Sequence, residues 1–127
     1  MASAAERLRE RVVLVVEDQP AVCRYMARAL RDAGFRVLKA YDGEQAAAVL
    51  ARFGSKAVGL VVSDVSMPKM TGLELALLLE RRWPDLPVLL VSGLGVPPGY
   101  QGKVLPKPFT PDVLVTVVSD LLPPAVQ

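Results

Sequence analysis

The chain of 127 residues contains no histidine. That removes the commonest general base and metal-ligating side chain. Any site chemistry has to run on carboxylates, hydroxyls and lysine. There is a single cysteine, Cys23. It excludes an internal disulfide and fits a reducing cytoplasm. No long apolar run is present. The longest are AAAVLA (Ala46–Ala51) and five-residue pieces such as VVLVV (Val12–Val16). A membrane-spanning helix needs about 20 apolar residues. No membrane insertion is therefore expected, although mean hydropathy is +0.35. The N-terminus, MASAAERLRE, lacks the apolar segment of a secretory signal. Charge excess is also missing. Fifteen basic against thirteen acidic residues leave +2, which gives no electrostatic case for direct nucleic-acid binding. Repeats, low-complexity tracts and internal linkers are absent too.

What is present is a core. Apolar residues make up 52% of the chain, enough for one well-buried domain. The expected division is an N-terminal lead-in over 1–10, one domain over 11–122 and a short tail over 123–127. Arg11–Val16 reads as a continuous apolar strand. Pro20 opens a helix, at a position where its missing N–H costs nothing, and the helix runs to about Ala33. On it, Val22, Tyr25, Met26, Ala29 and Leu30 share one face, and Arg24, Arg28 and Arg31 another. Gly34 stops it. Phe35–Ala40 is the second strand, and a second helix, DGEQAAAVLARF (Asp42–Phe53), starts at Asp42–Gly43. Ala57–Asp64 is the third strand. A third helix follows Thr71–Gly72 and stops before Pro84. Pro87–Val91 is the fourth strand and KVL, beginning at Lys103, a short fifth. Thr110 caps a last helix that has Pro111 at its first position. Strands alternate with helices and read as near-continuous apolar runs, the pattern of parallel strands covered on both faces. The fold class is α/β, a five-stranded doubly wound sheet.

Such folds bind ligands at the carboxyl ends of their strands. Glu17 and Asp18 end the first strand, Asp64 the third, Ser92 the fourth and Lys107 the fifth. Converging carboxylates repel, and each raises the others' pKa. A divalent cation relieves this, and oxygen-only ligands point to Mg²⁺, with Mn²⁺ as a substitute. Lys107 and the Ser92 hydroxyl suit phosphate oxygens. A carboxylate beside Mg²⁺, a lysine and a hydroxyl can accept a phosphoryl group and hold the acyl phosphate. Phosphoryl transfer depends on positioning and charge neutralisation, so no histidine is needed.

The segments LVVEDQP, LVVSDVSMPKMTGLEL, VLLVSG and LPKPF resemble, in order and spacing, the receiver domain of two-component response regulators. The resemblance spans about Val12 to Leu122 and is closest to receivers of hybrid histidine kinases. It implies a flavodoxin-like sheet of order 2-1-3-4-5. It implies that Asp64 is the phosphorylated aspartate and Asp18 a direct Mg²⁺ ligand, with Glu17 acting through metal-bound water. The backbone carbonyl of Ser66 completes the metal site. Ser92 matches the switch hydroxyl and Lys107 the family lysine, and Lys107–Pro108 matches a cis peptide. Pro68 and Gly72 match the loop after the phosphorylation site. Ser66 and Leu94 match positions that tune phosphoryl lifetime. The implied partners are a histidine kinase or histidine phosphotransfer domain as phosphodonor, and a separate output partner.

Two features depart from the family. The position three before the lysine, aromatic in the family's switch, is Val104. Tyr100 is the nearby candidate replacement. Only fourteen residues separate Ser92 from Lys107, and GLGVPPGYQGKVLP is too rich in Gly and Pro for a helix. The helix expected fourth is therefore shortened or missing. Two other functions remain open. One is a degenerate receiver that binds partners without phosphorylation. The other is a phosphohydrolase with Asp64 as nucleophile, a reading weakened by Ser66, where such enzymes need a second aspartate.

Overall fold

The computed structural model describes residues 12–122. The expected lead-in over 1–10 and tail over 123–127 lie outside the described residues. Five parallel strands form one sheet in the order β2-β1-β3-β4-β5. They are β1 (Val12–Val16), β2 (Arg36–Ala40), β3 (Val58–Asp64), β4 (Val88–Ser92) and β5 (Lys103–Pro106). Among the described residues there are four helices, α1 (Pro20–Asp32), α2 (Gly43–Ala57), α3 (Gly72–Arg82) and α4 (Pro111–Leu121). The strand order and the doubly wound class are as expected. So is the missing helix: β4 passes to β5 through turns alone.

The central strand β3 is buried along its whole length. That is why VGLVVSD carries no polar alternation until its end. Its two faces feed two separate cores. Val13, Val15, Leu60, Val62, Leu89 and Val91 pack with Met26, Leu30, Leu114 and Val118 of α1 and α4. Leu14, Val16 and Val61 pack with Ala46, Leu50, Leu75 and Leu79 of α2 and α3. Truncating a fully buried leucine in such layers costs about 2–5 kcal/mol.

Each helix start is specified locally. Pro20 and Pro111 occupy first-turn positions. The Asp42 side chain accepts from Gln45 N–H at 2.8 Å. Thr71 and Glu74 form a reciprocal capping box, which satisfies two otherwise orphaned backbone donors. Two local expectations shift. The buried stripe of α1 is Cys23, Met26, Ala27 and Leu30, rotated from the expected face. Tyr25 is 43% exposed because its ring reaches across to Phe109, 6.1 Å between centroids. The second helix also runs past Phe53. It kinks at Gly54, whose φ of 72° and ψ of 175° are non-helical, a conformation that favours glycine.

The β4–β5 connection folds back on itself. Tyr100 N–H donates to Pro97 O at 3.1 Å. Gly95 and Gly99 take positive φ. The Tyr100 hydroxyl donates to Val88 O at 3.4 Å.

Gly72 sits where α3 starts against β3. A Cβ there would overlap the carbonyl oxygen of Asp64 and come within 2.9 Å of Val65 Cα. Gly93, by contrast, has nothing within 4 Å of an added Cβ. Gly72→Ala is expected to lower unfolding free energy by about 1–3 kcal/mol, the usual range for overpacking. Gly93→Ala should stay within about 0.5 kcal/mol of wild type. Urea denaturation of the two variants checks this, and equal stabilities would refute the packing account.

Candidate functional site

The strands end together, so their last residues meet. One carboxylate oxygen each from Glu17, Asp18 and Asp64 lies within 4.8 Å of the others. Glu17 is fully buried, Asp64 5% exposed and Ser92 3% exposed. Buried charges of one sign require a counter-charge. Lys107 supplies it. Its Nζ lies 3.3 Å from Asp64 Oδ2 and 3.5 Å from Glu17 Oε1. The lysine is held from behind, since its backbone N–H donates to Ser92 O at 2.8 Å. The Lys107–Pro108 peptide is cis, as the resemblance implied.

The acid cluster has room for more positive charge. Asp18 Oδ1 is buried and has no hydrogen-bond partner. An orphaned carboxylate oxygen among three acids fits a divalent cation with oxygen ligands. Glu17, Asp18 and Asp64 are the side chains that could hold it. Without a cation the strain appears in Glu17, whose pKa rises from 4.5 to about 7. Burial is the main cause. The Gln19 N–H, which donates to Glu17 Oε2 at 3.2 Å, opposes it. The Asp18 carboxyl and the Asp64 charge push upward, and Lys107 pulls downward.

The remaining predicted positions divide. Ser66 is exposed beside Asp64, and its N–H donates to Asp64 Oδ1 at 3.4 Å. Ser92 Oγ accepts from Leu94 N–H at 3.1 Å. The Leu94 side chain is 93% exposed. Val104 pairs with Leu90 inside β4–β5. Tyr100 is not at the site. Its hydroxyl meets Val88 at the start of β4, and Ser92 ends that strand. Four residues of strand, about 13 Å, separate the two ends. In this structure the candidate replacement for the switch aromatic therefore stands at the wrong end of the sheet.

Two supports were not evident from residue order. The Ser63 hydroxyl donates to Asp64 O at 3.0 Å, and Ser63 read only as part of the strand. Gly72 allows α3 to approach that same carbonyl. The available signal was a glycine directly after the Thr71 cap.

With this geometry the relatives are informative. Residues 13–119 match the family described as the response regulator receiver domain. The sensor kinase CckA of Brucella abortus is 37% identical over 117 residues, 87% of this chain and 12% of that protein. The response regulator protein FleR of Pseudomonas aeruginosa is 38% identical over 114 residues, 84% of this chain and 24% of FleR. The chain thus spans a quarter or less of these relatives. Among solved structures, chemotaxis response regulator CheY4 of Vibrio cholerae aligns with a TM-score of 0.76 and 30% identity, covering 88% of this chain and 98% of that one. The receiver domain of the hybrid histidine kinase CckA aligns at 0.74 and 34%, covering 88% and 99%. The buried acid cluster, its lysine and the five-stranded order therefore have one family context, and the chain belongs to the response regulator receiver domain family of two-component systems.

Proposed function

We propose that the protein is a phospho-accepting signalling receiver in which Asp64 takes a phosphoryl group from a phosphohistidine. The donor is a histidine kinase or a histidine phosphotransfer domain. The observation that carries this reading is the Lys107 ammonium 3.3 Å from Asp64 Oδ2. A lysine there neutralises charge on the nucleophile's surroundings and can hold a phosphoryl oxygen. In the step, the other ring nitrogen of the phosphoimidazole carries a proton taken from solvent, an Asp64 carboxylate oxygen bonds to phosphorus, the phosphorus–nitrogen bond breaks, and the imidazole leaves as the neutral base. The Ser92 hydroxyl, at the neighbouring strand end, donates to a second phosphoryl oxygen. Its oxygen accepts from Leu94 N–H at 3.1 Å, which leaves its O–H free to donate.

Glu17, Asp18, Asp64 and the Ser66 carbonyl would hold Mg²⁺, or Mn²⁺ in its place. The bound cation supplies neutralisation of the charge that gathers on the phosphoryl oxygens. Ser66 and Leu94 flank the acyl phosphate and are the positions that set how long it survives slow self-catalysed hydrolysis. The acyl phosphate then alters the binding of a separate output partner. That output cannot use the aromatic swing of related receivers, because Val104 occupies the ring's position and Tyr100 lies at the far end of β4.

Incubation with Mg²⁺ and acetyl phosphate should add one phosphoryl mass to the wild type and none to Asp64→Asn, read by intact-protein mass spectrometry. No gain in the wild type would leave a phosphorylation-independent binding module. An equal gain in Asp64→Asn would remove Asp64 as the acceptor.

The raised Glu17 pKa sets a pH dependence. Between about 4.5 and about 7 the folded protein keeps a proton that the unfolded chain has released. Stability from this group is therefore present at low pH and lost as pH rises through about 7. A cation takes the place of that proton. The Mg²⁺-induced rise in Tm should accordingly be larger near pH 8 than near pH 5. Thermal melts with and without Mg²⁺ measure it, and a rise independent of pH would contradict the assignment.

A further inference from the structure

The turns that join β4 to β5 leave a cavity of about 460 Å³ against α3. Leu77 and Glu80 of α3 line it, together with Leu86 and Val88 at the start of β4 and Tyr100 and Gln101 of the connection. Leu77 and Glu80 are three residues apart, so they share one helix face. The packing of the domain does not use this space. Leu77 is 51% exposed, and neither Leu77 nor Tyr100 belongs to either core.

Tyr100 is fixed as a wall of the cavity. Its N–H donates to Pro97 O at 3.1 Å, and its hydroxyl donates to Val88 O at 3.4 Å. Gly102 lacks the Cβ that would overlap that hydroxyl. Burial raises the phenol pKa, and the charge of Glu80 raises it further, so the Glu80 carboxylate and the ring stand near each other. Among the described residues Glu80 is the only charged side chain lining the cavity, and it has no ion pair. The adjacent Arg82 lies over the Trp83 ring, 4.9 Å from its centroid. An exposed glutamate alone would simply be hydrated. Here it converges with apolar walls and an aromatic ring on one concavity. That combination, in a volume of about 300–1,000 Å³, is how small-molecule sites are built.

We propose that this cavity binds a small amphiphilic amine, a molecule with one ammonium group and an apolar or aromatic body. The ammonium pairs with Glu80, and the ring of Tyr100 adds attraction for a cation. The body covers Leu77, Leu86 and Val88, removing their exposed surface from water. A ligand anion would meet the Glu80 charge head on. A neutral apolar ligand would desolvate that charge without pairing it. The cavity sits at the amino end of β4, whereas Asp64 and Ser92 stand at the carboxyl ends of their strands. Its test therefore does not depend on phosphorylation.

The probes are phenethylamine, the neutral phenethyl alcohol and the anion hydrocinnamate. Titrated into ¹⁵N-labelled protein, phenethylamine should shift the amide signals of Leu77, Glu80, Val88, Tyr100 and Gly102. Phenethyl alcohol should bind about fivefold more weakly, as expected for loss of one partly exposed ion pair, and hydrocinnamate more weakly still. Added salt should narrow the difference between amine and alcohol. Glu80→Gln should weaken phenethylamine binding by about fivefold and leave phenethyl alcohol binding unchanged. Tyr100→Leu should weaken both. Glu80 is exposed, so Glu80→Gln is expected to fold, and an unchanged urea midpoint verifies that. Equal binding of phenethylamine and hydrocinnamate, indifference to Glu80→Gln, absence of binding, or shifts confined to another face would overturn the proposal. So would tighter binding of a short lysine peptide flanked by alanines, which would assign the cavity to a side chain of a protein partner.

Discussion

The Lys107 ammonium, between Asp64 at 3.3 Å and Glu17 at 3.5 Å, is the contact on which the architecture of the site depends. Three carboxylates gathered at the end of a buried sheet repel one another, and Glu17 has no access to water. Each acid arrives there because its strand is too apolar to lie anywhere but the sheet interior. The lysine arrives from the last strand and is fixed by its own backbone bond to Ser92. Positive charge is still in deficit, as the orphaned Asp18 oxygen and the raised Glu17 pKa both indicate. That deficit is one a divalent cation with oxygen ligands would relieve.

Backbone packing sets how that imbalance is framed. Asp64 is gripped by its main chain: Ser63 bonds its carbonyl, and α3 begins directly against it because Gly72 has no side chain. The Asp64 carboxylate is thereby held still while its neighbours supply the charge. On the other side of the site there is less support. Beyond Ser92 the chain has no helix to carry a displacement, only a short Gly- and Pro-rich connection that turns back on Tyr100. The two sides of the site are therefore supported to different degrees.

Much of this was legible in residue order, for a physical reason. Parallel strands buried on both faces must be continuous apolar runs, so polar residues where a run ends mark the carboxyl edge. Glu17, Asp18, Asp64, Ser92 and Lys107 were all found by that rule. The missing helix was legible too, because fourteen residues rich in Gly and Pro cannot make one with its two loops. Less legible were features decided between elements. The buried face of α1 shifted to Cys23 and Ala27 because Tyr25 is drawn out to Phe109 across the domain. The extent of α2 beyond Phe53 rested on a kink at Gly54 that helical periodicity does not encode.

Residue order alone was enough for the fold class, the strand order through family resemblance, the set of polar residues at the strand ends and the lost helix, since these follow from local hydrophobic pattern and chain length. Folding decided what those residues do to one another. Only the assembled sheet brings Lys107 across ninety residues to Glu17. Only the assembled sheet buries Glu17 deeply enough to move its pKa to about 7. It also sets Tyr100 against Val88, away from Ser92, because a half-buried ring settles where the turn of its loop and the close approach to Gly102 allow, and neither is encoded in the spacing of residues along the chain.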